Sequence, residues 1–192
     1  DFVLNTPLLD DQNGHGTHIS GIIAGQKSNC KGIQGVAPKA KIMILKYYSS
    51  HQSPQVTLAK SVMAMRYAVR MGASIINYSG GGGAPDSKEE KILKEAQEKG
   101  VLVVAAAGNE QSLADKQPYF PASYNLSHIL SVAAVDRSNN LAKFSNYGLL
   151  NVDIAGPGVK IWSSLPGNKY GYLSGTSQAT AFLSGVAALL LE

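Results

Sequence analysis

Apolar positions along the chain fall into two kinds of run. The first kind is short and continuous: Lys41–Lys46 around Ile42-Met43-Ile44-Leu45, Ser74–Ser79 around Ile75-Ile76, Val101–Ala107, Ile129–Val135 and Val152–Ala155. Continuous runs of this length read as strands buried on both faces. The second kind recurs at helical spacing. Ile19–Ala24 suits a short buried helix, and Thr57–Met71 puts Leu58, Val62, Met65 and Val69 on one face. Ser87–Lys99 turns Ile92, Leu93 and Ala96 inward, and Phe182–Leu191 reads as a buried helix on Leu183, Val186, Ala187 and Leu190. Gly72 and Gly100 fall where helix stops belong. Trp162–Leu165, a turn at Pro166–Lys169 and the segment from Tyr170 read as a hairpin. Buried strands alternating with amphipathic helices predict an α/β three-layer sandwich, a mostly parallel central sheet with helices on both faces. Residues 1–192 read as one domain, without repeat or linker. In such sheets the working crevice lies at the carboxyl ends of the strands, where Ser79-Gly80-Gly81 and Gly108-Asn109 fall.

Composition narrows this picture. With 44% hydrophobic and 16% charged residues, the 192-residue chain has the makings of a globular core. The formal charge of +4 is scattered, so no nucleic-acid partner is expected. A lone cysteine, Cys30, permits neither an intrachain disulfide nor a cysteine-based zinc site. No apolar run has membrane-spanning length, so no membrane partner is expected either. No signal peptide is visible, and both ends read as interior to a domain: Asp1–Asn5 is unlike a translation start, and the last apolar helix is uncapped.

Three segments carry candidate chemistry. Ser174-Gly175-Thr176-Ser177-Gln178-Ala179-Thr180-Ala181 runs directly into the last helix, where a hydroxyl lies near unsatisfied N–H groups and the positive end of the helix dipole. The bland reading makes Ser174, Thr176 and Ser177 ordinary N-caps. His15 sits at a loop-to-helix junction between Gly14 and Gly16. Metal ligation by His15 and His18 is disfavoured, because the pair lacks an acidic partner in the arrangement zinc hydrolases use. Asn109 follows the strongest core strand. A serine made nucleophilic by a histidine base, with a carboxamide to receive an oxyanion, is a workable acyl-transfer set.

The sequence resembles the subtilisin-like serine proteases (subtilases). The resemblance is carried by Asn13-Gly14-His15-Gly16-Thr17-His18, Ser79-Gly80-Gly81, Ala105-Ala106-Ala107-Gly108-Asn109-Glu110 and Ser174-Gly175-Thr176-Ser177-Gln178-Ala179. Gly35-Val36-Ala37-Pro38, Ala155-Gly156-Pro157-Gly158-Val159 and Leu165–Gly171 also fit, in the family's order. It implies a subtilisin-like fold and an endopeptidase working through an acyl-enzyme. Ser177 would be the nucleophile and His15 the general base, with Asn109 and the Ser177 N–H forming the oxyanion hole. Ser79, Gly80, Gly81, Ala107 and Gly108 would line the pocket for the residue before the scissile bond, with extended peptide pairing along both edges. The glycine-rich edge suggests a permissive pocket, and Glu110 would tilt it toward basic residues. His18 would be structural. A protein or peptide is the expected substrate, and the family favours a secreted or cell-surface location.

The match breaks at the aspartate that orients the histidine. Only 14 residues precede His15, and neither Asp1, Asp10 nor Asp11 fits the family's pattern. The fold is therefore expected to be incomplete at its N-terminus, and also at its C-terminus, with a separate N-terminal fragment as one source of the carboxylate. A catalytically silent subtilase-fold module that binds peptides is the alternative. No cofactor is expected: calcium occurs in the family, but Lys27 and Lys31 oppose a cation in the loop after the His15 helix. The family usually has methionine where Gln178 stands and proline where Ala181 stands.

Overall fold

A computed structural model describes residues 1–27 and 32–191. Cys30 and Lys31 lie outside the described residues, so the loop reading that rests on Lys31 has no structural counterpart. The elements run α1 His15–Ala24, α2 Pro54–Arg70, β1 Ile75–Tyr78, α3 Ser87–Glu98, β2 Leu102–Ala106, β3 Ile129–Val135, β4 Ile154–Pro157, β5 Ile161–Leu165, β6 Lys169–Leu173 and α4 Thr176–Leu190. β1 to β4 form a parallel sheet in the order β1-β2-β3-β4, with Ile75 opposite Leu102, Val103 opposite Ile129 and Val132 opposite Ile154. β5 and β6 form the antiparallel hairpin.

Strand alternation divides the core into two layers. Val103 and Ala105 face Val62, Met65 and Val69 of α2 and Ile92, Leu93 and Ala96 of α3. Val104, one position along, faces the other way onto Ala179 and Leu183 of α4, together with Val132 and Ala134. α1 joins that second layer through Ile19 and Ile22 against Ala181 and Phe182. The three-layer α/β sandwich is thus as the sequence pattern predicts.

Several boundaries or burials differ from expectation, beginning with α1, which starts at His15 rather than Ile19. α2 begins at Pro54, three residues early, because the Ser53 hydroxyl accepts from the Val56 N–H and Pro54 occupies the first turn. The last strand of the sheet starts at Ile154 rather than Val152, since the Asp153 carboxylate accepts from the Ser131 N–H at 2.7 Å and ends the loop there. Lys41–Lys46 is not a strand. Among the described residues the segment has no ladder partner, and Ile42, Met43 and Ile44 are 38%, 42% and 44% exposed, so its apolar run lacks a neighbour there that would bury it. The Phe182–Leu191 stretch is not buried throughout: α4 packs its first half, including Ala179, Ala181 and Gly185, but runs past the sheet, leaving Leu190 83% exposed.

One buried group is out of character for a core. Glu89 on α3 is 2% exposed. Its carboxyl oxygens accept from the Tyr78 hydroxyl at 3.3 Å and the Tyr124 hydroxyl at 3.1 Å. Burial raises its pKa, and the two tyrosine hydrogen bonds only partly offset this. A raised carboxyl pKa means stability that is full below the unfolded value of about 4.3 and lost as pH rises through the folded value. Glu89→Gln removes that titration. Thermal melts across pH 3.5–8 are expected to show the substitution becoming relatively more favourable as pH rises; a difference independent of pH would contradict the assignment.

Candidate active site

The site grows from the start of α4. Gly175 is its N-cap and no side chain caps it, so the bland reading of Ser174, Thr176 and Ser177 as caps is not what forms. Each hydroxyl is used elsewhere. Ser174 Oγ accepts from the Lys160 N–H at 2.8 Å. Thr176 is fully buried, and its N–H and hydroxyl both donate to Asn109 Oδ1, at 2.9 and 3.1 Å. Ser177 Oγ donates to the Ser79 carbonyl at 3.1 Å, while Ser79 Oγ donates back to the Ser177 carbonyl at 3.1 Å.

These bonds orient Asn109. Two donors converge on one atom of its carboxamide, so that atom is the oxygen and the amide nitrogen points away, free to donate. The place a side chain on Gly175 would occupy lies 3.7 Å from both Asn109 Oδ1 and the Ser177 nitrogen, which sets the carboxamide beside the first turn of α4. An N–H pair of this kind, at the positive end of a helix, can stabilise a developing oxyanion.

Asn146, missed at the sequence level, builds the loop that presents Asn109. It is 1% exposed. Its Oδ1 accepts from the N–H groups of Glu110 and Ser112, both at 3.0 Å, and its Nδ2 donates to the Ala107 carbonyl at 2.8 Å and to Glu110 Oε2 at 2.7 Å. Gly108 takes φ +105, and a Cβ there would overlap Asn146 Nδ2 and Glu110 Oε2. No local pattern marks a buried asparagine in Ser145-Asn146-Tyr147, because its partners are 34 to 39 residues away.

His15 opens α1 behind Gly14, whose φ of +86 leaves the helix without a side-chain cap of its own. Asp11 supplies the cap instead. Its carboxylate accepts from the Gly14 N–H at 2.8 Å, the Thr17 N–H at 2.8 Å and the Thr17 hydroxyl at 2.6 Å. His15 and the Ser79-Gly80-Gly81 edge line one cavity of about 1820 Å³, which also takes in Ile42, Ile44, Tyr47 and Tyr119. The structure thus joins Asn109 to Thr176 and Ser177 to Ser79 by hydrogen bonds, and places His15 in the wall of the cavity that Ser79 also lines, with Ser177 hydrogen-bonded to Ser79 and not to the imidazole. His18 is fully buried, with Nε2 3.2 Å from the Gly171 carbonyl. Among the described residues no three His, Cys, Asp or Glu side chains cluster as metal ligands, and no helix is long and apolar enough to cross a membrane.

A parallel α/β sandwich with a serine at a helix start facing an asparagine beyond a core strand is the architecture of subtilisin-like proteins. The subtilase family profile matches residues 2–192, and the chain belongs to that family. It is 42% identical over 190 residues to a thermophilic serine proteinase of Bacillus sp. (strain AK1), covering 99% of this chain and 45% of that protein. It is 41% identical to thermitase of Thermoactinomyces vulgaris, covering 99% of this chain and 65% of thermitase. A cold-adapted subtilisin-like serine proteinase known from its crystal structure superposes with a TM-score of 0.86 at 32% identity, over 100% of this chain and 66% of that one. The chain thus spans about half to two thirds of the length of these relatives.

Burial holds the His15 pKa below its ordinary value, and nearby His18 lowers it further, while the Asp11 carboxylate pulls it back up. Titration of the His15 imidazole by NMR is expected to show a midpoint below about 6.5. In Asp11→Asn the midpoint should fall further, because the upward pull is gone. A midpoint that rises in Asp11→Asn would contradict this account.

Proposed function

We propose that these residues are the greater part of a single peptidase domain, a serine endopeptidase that hydrolyses peptide bonds through an acyl-enzyme. Ser177 Oγ attacks the scissile carbonyl carbon as His15 takes its proton. The tetrahedral oxyanion is received by Asn109 Nδ2 and the Ser177 N–H. Collapse expels the amine, which takes the proton from His15, and water then repeats the sequence to free the acid. The carrying observation is the pair of bonds from Thr176 to Asn109 Oδ1, which leaves the amide N–H groups free beside the nucleophile. Because its pKa is lowered, His15 is neutral, as a base must be, at neutral pH. In the free protein Ser177 bonds to Ser79, so the contact with His15 forms when Ser177 turns from that carbonyl as substrate enters. Substrate lies as an added strand between Ser79-Gly80-Gly81 and Ala107-Gly108. Similarity to the thermophilic serine proteinase and thermitase supports this reading, and a secreted or cell-surface location goes with it.

The carboxylate that orients His15 comes from a segment outside these residues, contiguous or separate, that enters the cavity as an extended strand. Two features support this. The lone pairs of Asp11 are committed to Gly14 and Thr17. The exposed apolar run Ile42-Met43-Ile44 and the open edge of β1, the outermost strand of its sheet, both border space that a strand would fill. Peptide mapping of protein from its natural source, with cross-links from Lys41, should find an aspartate-bearing segment against residues 41–46.

A peptidyl phosphonate is expected to label Ser177 in that intact protein and to leave Ser177→Ala unlabelled. Asn109→Ala should lower turnover by about 10²–10³, the loss seen for the equivalent donor in a subtilisin, with KM little changed. No labelling of Ser177 in the intact protein would favour a silent peptide-binding module.

A further inference from the structure

The two backbone edges assigned above to substrate do not enclose an open pocket. The ring of Tyr119 stands between them. A Cβ placed on Gly81 would overlap Tyr119 Cε1 and lie 3.0 Å from Cδ1. A Cβ placed on Gly108 would lie 3.0 Å from Cδ2, the opposite edge of the same ring. One side of the phenol therefore packs on the Ser79-Gly80-Gly81 edge and the other on the Ala107-Gly108 edge. Gly81 and Gly108, which at the sequence level suggest a permissive pocket, instead leave room for an aromatic ring, Gly81 by direct overlap and Gly108 by close approach.

The ring is also held in place. The Tyr119 N–H donates to Ser123 Oγ at 3.0 Å, and its carbonyl accepts from the Ser123 N–H at 2.9 Å. The next residue, Phe120, exchanges both backbone hydrogen bonds with Gly82, at 2.7 and 2.9 Å, and its ring packs on Tyr124. Tyr119 thus leaves a doubly fixed backbone, and contacts on both ring edges restrict its rotation. The carboxylate of Glu110, which could have drawn in a basic residue, is spent on Asn146 at 2.7 Å and lies over Gly108 beside the ring.

We infer that Tyr119 sets the specificity of this site, filling the space between the two glycine edges so that only glycine, alanine or serine fits before the scissile bond. This rests on the peptidase reading for the direction in which peptide lies, but not on any chemical step. An aromatic or long aliphatic side chain would have to displace the ring from both glycines, whereas a methyl or hydroxymethyl group sits over its exposed rim. Tyr119→Gly or Tyr119→Ser vacates the volume of a phenol and turns the site into a deep apolar slot.

Binding tests this without turnover. In the Ser177→Ala chain, fluorescent peptides of one upstream sequence ending in alanine or phenylalanine are compared by anisotropy. The alanine peptide should bind roughly tenfold tighter or more, the scale on which a pocket discriminates by size. Tyr119→Gly should reverse the order. Tyr119→Ser does the same where glycine compromises folding, and Tyr119→Phe, which keeps the ring, retains the original preference. The inference is overturned by equal or tighter binding of the phenylalanine peptide with Tyr119 present. It is also overturned by an unchanged ratio in both small variants, or by binding of neither peptide to any variant. Failure of Ser177 to take a phosphonate, with the alanine preference intact, would sink the hydrolytic reading and leave the role of Tyr119 standing.

Discussion

The bond pair from Thr176 to Asn109 Oδ1 ties the carboxyl end of the sheet to the start of α4. It is short, buried on the threonine side, and joins residues 67 apart in the chain. One oxygen receiving two donors fixes the rotation of a carboxamide and leaves its amide nitrogen to donate elsewhere. The same bonds satisfy the first N–H of α4 with the Asn109 oxygen. The rest of the site is arranged around this knot: Ser79 exchanges hydrogen bonds with Ser177 on one side, and Asn146 braces the Ala107–Ser112 loop on the other.

The sheet explains why these segments can meet. Four parallel strands in chain order put the ends of β1 and β2 side by side, and those ends carry Ser79 and the loop to Asn109. α4 crosses the face made by Val104, Val132 and Ala134, so its first turn arrives at those carboxyl ends. α1 lies against α4 through Ile19, Ile22 and Ala181 and places His15 in the wall of the cavity. On one flank, residues 41–46 have no ladder partner among the described residues, although the Lys46 carbonyl accepts from the Phe2 N–H at 2.7 Å. Three consecutive apolar residues, Ile42, Met43 and Ile44, each roughly 40% exposed, make a surface shaped for burial.

Much of the candidate chemistry was legible in local sequence because each part has a local cause. A glycine-flanked histidine, a serine before an apolar helix and an asparagine after a core strand are short-range signals. So were α3, with Ile92, Leu93 and Ala96 inward, and β3, whose bounds coincide with its apolar run. The strand expected at 41–46 failed for a reason no window contains: strand formation needs a neighbour, and composition does not reveal whether one is present. The apolar end of α4 misled in the same way, since helical spacing marks a face without saying what lies opposite it.

The residues themselves determined the order of elements, the alternation that makes a parallel sandwich, and the nucleophile, base and carboxamide types on offer. Hydrophobic period and capping chemistry act over a few residues, so a linear reading captures them. Only the folded chain decided that Thr176 would hold Asn109, that Asp11 would serve a helix start and not an imidazole, and that Tyr119 would lie between two glycines. Those outcomes depend on which side chains share a volume, and that is set by packing between segments far apart along the polypeptide.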